Sequence, residues 1–185
     1  MVWLIVGLVL FLGIHSAGIV PGIRAGLVKG FGPGGYKVLY SLISITGFAL
    51  IIYGAINAHP SETLWDPPAW TRSLALVAVP VSLILLISTY TPGHIRHAVR
   101  HPMMLGVFVW SGAHLIANGE LASVVLFGSF FAWSVLSLSV AFAKGGAPST
   151  PPGWGGDVTA VIVGALISAA LARFHLYLFG VAVIG

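Results

Sequence analysis

No cysteine occurs anywhere in the chain, which excludes disulfides and thiolate metal sites and leaves seven His and three Met as the softer metal ligands. Charge is nearly as scarce. Asp, Glu, Lys and Arg together make up 6% of the 185 residues, whereas soluble domains carry roughly a quarter. The four acids, Glu62, Asp66, Glu120 and Asp157, stand at predicted loops or helix ends. No carboxylate pair therefore lies at membrane depth to drive a proton-coupled transport cycle. Also missing are a GxSxG elbow, a phosphate-binding Walker loop and a GxGxxG turn between strand and helix, which removes the common hydrolase and nucleotide chemistries.

What is abundant is apolar surface: 58% of residues are hydrophobic and the mean hydropathy is +1.03. The solvent of such a chain is lipid. A spanning helix needs about 20 mainly apolar residues, and the charged residues punctuate six runs of adequate length. These are Val2–Val20, Val38–Ala58, Ser73–Tyr90, Pro102–Ala117, Leu121–Phe142 and Val158–Phe179. The expected fold is all-α, a polytopic transmembrane bundle of about six spans forming one domain over residues 1–185. Met1 to Ile23 lacks a basic leader region and is expected to stay as the first helix.

The net charge of +4 is not gathered into a basic run, so it signals topology rather than nucleic-acid binding. Alternate threading puts Arg24, Lys29, Lys37, Arg96, Arg100 and Lys144 on one side and only Arg72 and Arg173 on the other. By the positive-inside rule both termini then face outward, and the expected location is the bacterial inner membrane with both termini periplasmic. Inner loops are expected over Gly30–Gly35 and Gly145–Gly156, and an outer one over Pro60–Pro68. Asn118-Gly119 signals a tight turn that would make the fourth and fifth spans an antiparallel hairpin. Trp65, Trp70, Trp154, Tyr36, Tyr40 and Tyr177 fall near span ends, where aromatic belts anchor. Tyr36 and Tyr40 also offer hydroxyls to a site.

An ionisable group inside a bilayer is costly, so an intramembrane His is a candidate for function. His15, in Gly13-Ile14-His15-Ser16-Ala17-Gly18, and His114, in Ser111-Gly112-Ala113-His114, are both inside spans and flanked by small residues. Such surroundings suit either a close helix contact or a slot for a flat macrocycle. His101 opens the fourth span, and about 19 Å of helical rise separates it from His114, so those two cannot ligate one iron from opposite faces. An axial pair needs a second helix. His15 with His114 is one pair, their depths differing by several ångströms, within reach of ordinary helix tilt; His15 with His101 is the competing pair. His94, His97 and His101 stand at helical spacing, but Arg96 and Arg100 interleave, which favours contact with anionic headgroups over a divalent metal.

Taken together, His15-Ser16, Arg24, Tyr36, Tyr40-Ser41, Leu64-Trp65, Pro67, Trp70, Arg100-His101-Pro102-Met103, Trp110, Ala113-His114-Leu115, Asn118-Gly119 and Phe127-Gly128 resemble the NnrU family over nearly the whole chain. That family is associated with denitrification and nitric oxide metabolism and includes the zeta-carotene isomerase, a haem b enzyme. The resemblance implies haem b as cofactor, His15 and His114 as its axial metal ligands and His101 as a further cofactor-binding residue. With both axial positions taken, one imidazole has to leave before a substrate or NO can reach the iron. The function expected is that of a haem-binding membrane protein of denitrification or nitric oxide metabolism, or of another redox-gated membrane reaction. The alternatives are an isomerase-like enzyme and a non-catalytic assembly factor. Ala58-His59-Pro60-Ser61-Glu62 departs from the loop of the carotenoid branch, which argues against carotenoid specificity. Arg100-His101-Pro102 with Gly106 is also similar to the cofactor element of phospholipid methyltransferases, but those need a downstream Glu-rich segment, and no Glu follows Glu120. Expected partners are membrane lipid and a hydrophobic small molecule or NO, with any protein partner docking at the membrane or the short loops.

Overall fold

The computed structural model describes residues 1–145 and 153–180. Seven helices follow one another: α1 (Val2–Ser16), α2 (Ile23–Ala58), α3 (Ala69–Ser88), α4 (His94–Val99), α5 (Pro102–Ala117), α6 (Leu121–Lys144) and α7 (Trp154–Phe179). Among the described residues there is no strand, only an isolated bridge between Thr63 and Glu120. This is what lipid requires, because a helix satisfies its backbone hydrogen bonds within itself. Four helices, α2, α3, α6 and α7, are long and apolar enough to cross a membrane, and α1 and α5 are shorter apolar helices. Each of the six overlaps one of the six apolar runs, with α2 beginning 15 residues before its run at Ile23 rather than Val38 and α1 ending at Ser16 rather than Val20.

The shortness of α1 and α5 matters for the site. Their 15 and 16 residues rise about 23 and 24 Å, less than the roughly 30 Å hydrocarbon core. A helix of that length entering at one boundary ends inside the apolar layer. Both candidate ligands, His15 and His114, lie in the last turn of such a helix.

The inner loop expected over Gly30–Gly35 is not a loop. The chain there is helical on both sides of a single residue, Gly32, whose φ of 71° and ψ of 165° break α2 just before Pro33. Glycine reaches positive φ without a steric penalty, and Pro33 suits the first turn of the segment that follows because its missing N–H would have no partner there. At the other end of the chain Trp154, Gly155 and Gly156 are helical, and residues 146–152 of the second expected inner loop lie outside the described residues.

Contacts gather into two units, Met1–Glu62 and Thr63–Gly185. In the first, α1 runs along α2 on glycines. A Cβ on Gly7 would stand 2.6 Å from the Ile51 nitrogen, one on Gly47 2.8 Å from the Phe11 nitrogen, and one on Gly54 would overlap the Leu4 backbone. Without a hydrophobic drive between helices in lipid, this close backbone approach is what dispersion packing needs. In the second unit α3 packs against both α5 and α7. Ser82 donates to the Gly106 carbonyl at 2.9 Å across the α3–α5 contact, and Gly164 meets the backbone of Ile84 across α3–α7. The α5–α6 hairpin expected from Asn118-Gly119 is present.

Candidate functional site

His15 and His114 are presented in the same way by different helices. Nδ1 of His15 is 2.6 Å from the Phe11 carbonyl, and Nδ1 of His114 is 2.9 Å from the Trp110 carbonyl, each four residues back. A carbonyl only accepts, so Nδ1 carries the proton and the lone pair of the neutral ring is on Nε2. In both cases the residue four back is aromatic and packs on the imidazole: Phe11 stacks on His15 with centroids 4.2 Å apart, and Trp110 lies 5.3 Å from His114. A hydrogen bond from the distal N–H to a carbonyl is the arrangement that fixes tautomer and ring orientation in metal-ligating histidines. Taken singly, each imidazole therefore has the donor chemistry that an iron-bound haem needs, His15 in the first unit and His114 in the second.

The surroundings of His114 join two stretches far apart in sequence. Phe127 of α6 stacks on its ring at 4.6 Å, and Asn118 donates to its carbonyl at 2.8 Å. One residue further, Gly119 touches Trp65 so closely that a Cβ would overlap the Trp65 carbonyl, while the Leu64 amide donates to the Gly119 carbonyl at 2.8 Å. Leu64-Trp65 and Asn118-Gly119 thus form one hydrogen-bonded corner beyond the last turn of α5. Trp65 belongs to that corner in addition to any interfacial role.

His101 stands at the N-cap position of α5, edge-on to Phe142 at 5.1 Å. Its Nε2 is buried with no hydrogen-bond partner among the described residues. It does not extend the row of His94 and His97, because α4 ends at Val99 and Arg100, with φ of 60°, turns the chain. Among the described residues no three His, Asp or Glu side chains gather to hold a metal ion. His94 instead belongs to a different construction. The Asp157 carboxylate accepts from the backbone N–H groups of His94 and Ile95, both at 2.9 Å, and from His94 Nδ1 at 2.7 Å, with Trp154 on the His94 ring at 4.4 Å. A side chain of α7 therefore caps α4. Nothing local in the sequence marks this cap, since the partners are 62 and 63 residues apart.

Within the first unit His15 borders a cavity of about 440 Å³, lined also by Arg24, Tyr36, Lys37, Tyr40 and Ser41. Its Tyr40 ring is 5.2 Å from the His15 imidazole, and Tyr36 stands one turn away at 5.9 Å from Tyr40. Lys37 was assigned only to topology on sequence grounds; the signal that marks it out is that residues 1–61 contain three Lys or Arg and no acid.

No curated protein and no solved structure shows significant similarity to the chain. A family model described as NnrU protein matches residues 3–183, nearly the whole length and including every histidine discussed above. With helices where its apolar runs stand and its separated motifs meeting at the α5–α6 corner, the chain belongs to the NnrU family of membrane proteins.

Proposed function

We propose that this NnrU protein is a haem b-binding protein of the bacterial inner membrane that serves nitric oxide metabolism, with His15 and His114 as the iron ligands and His101 as a further residue contacting the cofactor. The observation that carries the reading is the repeated presentation of two intramembrane imidazoles, each oriented by a carbonyl four residues back and an aromatic ring. Haem, when bound, supplies a redox-active iron able to take NO or to act on an apolar substrate in the lipid. The chain's own part is to fix each imidazole by its Nδ1 contact with the carbonyl four residues back, His15 beside a polar cavity and His114 against the rings of Trp110 and Phe127.

The test is the visible spectrum and pyridine haemochrome of detergent-purified protein beside His15→Ala, His114→Ala and His101→Ala. A b-type spectrum that is lost or becomes high-spin in the first two and is largely kept in the third supports the assignment. A colourless wild type, after expression with ample haem supply, overturns it and leaves a membrane assembly factor as the function.

A further inference from the structure

The first unit holds an imbalance of charge that its own residues cannot correct. Residues 1–61 carry Arg24, Lys29 and Lys37 and not one Asp or Glu, and Glu62 closes the unit at the other end of α2. From Lys37 to Ala58 the helix rises about 32 Å, so that carboxylate is far outside ion-pair range of the cavity. Two of the three cations, Arg24 and Lys37, line the cavity beside His15. The break at Gly32 is what brings them to one place: Arg24 is on the short segment before it, and Tyr36, Lys37, Tyr40 and Ser41 are on the long one after it. Positions 36, 37, 40 and 41 follow the one-face spacing of a helix.

The lining chemistry is one-sided. Two cations and the hydroxyls of Tyr36, Tyr40 and Ser41 are all able to donate, and no lining side chain is acidic. Arg24 and Lys37 are exposed and the first unit brings no carboxylate near them, so both are available to an anionic group of a ligand. At about 440 Å³ the cavity is of the size that small ligands and cofactors occupy.

We propose that this cavity is a carboxylate-binding site and that its ligand groups are the propionates of the haem whose iron His15 ligates. The inference rests on the haem reading above and adds to it an edge-binding role for Arg24 and Lys37, with Tyr36 as a neutral donor. The cations anchor the polar edge of the macrocycle, while the apolar remainder stays against the helices.

Full-length protein in phosphatidylcholine nanodiscs is titrated with haemin and with haemin dimethyl ester, which keeps the iron and removes both negative charges. Arg24→Gln, Lys37→Gln and, as a control for the general field, Lys29→Gln are treated alike. The expected result is that wild type binds the ester about tenfold more weakly than haemin, the scale of a partly exposed charge-assisted hydrogen bond. Arg24→Gln and Lys37→Gln each weaken haemin by part of that factor, about threefold, and leave the ester unchanged, which also shows that they are folded; Lys29→Gln changes neither. Equal affinity of wild type for haemin and ester overturns the site while leaving the haem reading intact, as does a loss in Lys29→Gln as large as in Lys37→Gln. If phosphatidylglycerol in the discs displaces haemin from wild type but not from Lys37→Gln, the cavity is a lipid-phosphate site and the proposal falls. A wild type that binds neither porphyrin overturns both readings together.

Discussion

Single residues here are decisive where a backbone has no room or an amide has no other acceptor. Asp157 is 8% exposed and serves two backbone N–H groups of α4 as well as the His94 ring. Asp157→Ala should therefore lower the thermal midpoint in detergent by more than His94→Ala, which removes the ring but leaves both capping bonds. Equal losses would show that the ring contact alone holds α4. At Gly119 a methyl group would overlap the Trp65 carbonyl and ring. Gly119→Ala is expected to open the corner and speed hydrogen exchange at the Leu64 amide, which donates to the Gly119 carbonyl; unchanged protection would mean that Trp65 moves aside without cost. His15 and His114 stand out in the sequence as candidates because an ionisable residue inside an apolar run is rare. Asp157 does not, since its role depends on partners more than sixty residues away, and sequence reading places an acid at a helix start without saying whose amides it caps.

At the scale of helices, sequence and structure agree where an end is set by local chemistry. Pro102 starts α5 as a proline in the first turn should, and α2 ends at Ala58 just before His59-Pro60, where the residue preceding proline disfavours helix. They differ at Gly30–Gly35, whose composition would make a loop in water. In and near lipid, backbone groups released from a helix have few partners, so the helix persists through the glycines and gives way at Gly32 alone. The α1–α2 contact gives a graded test. Gly54→Ala places a Cβ on the Leu4 backbone and should destabilise the protein by about 1–3 kcal/mol, the usual scale of overpacking. Gly13→Ala, with nothing within 4 Å, should be neutral or stabilising by up to about 1 kcal/mol through helix propensity. Unfolding titrations in mixed detergent compare them, and equal behaviour of the two variants would remove the glycine contact as an explanation of the pairing.

For the molecule as a whole, the absence of cysteine turns topology into a clean experiment. The positive-inside rule applied to the Lys and Arg positions predicts Lys29 and Lys144 inside and Ser61 and Glu120 outside. Single cysteines at Ser61 and Glu120 should react with an impermeant maleimide in intact cells, and those at Lys29 and Lys144 only after permeabilisation; the reverse pattern would invert the orientation. The order of the apolar helices could be read from hydropathy, since each overlaps an expected run, but four of the six are long enough to span and α2 extends 15 residues ahead of its run. The cavity beside His15 could not, because it depends on how the break at Gly32 aims two segments. The cap on α4 also bears on how the chain is made. Its acceptor lies 63 residues downstream of His94, so at ordinary synthesis rates the start of α4 is left about 3–13 s without its carboxylate. During that interval the amides of His94 and Ile95 depend on water or headgroups, and the arrival of α7 is the event that completes a helix translated long before it.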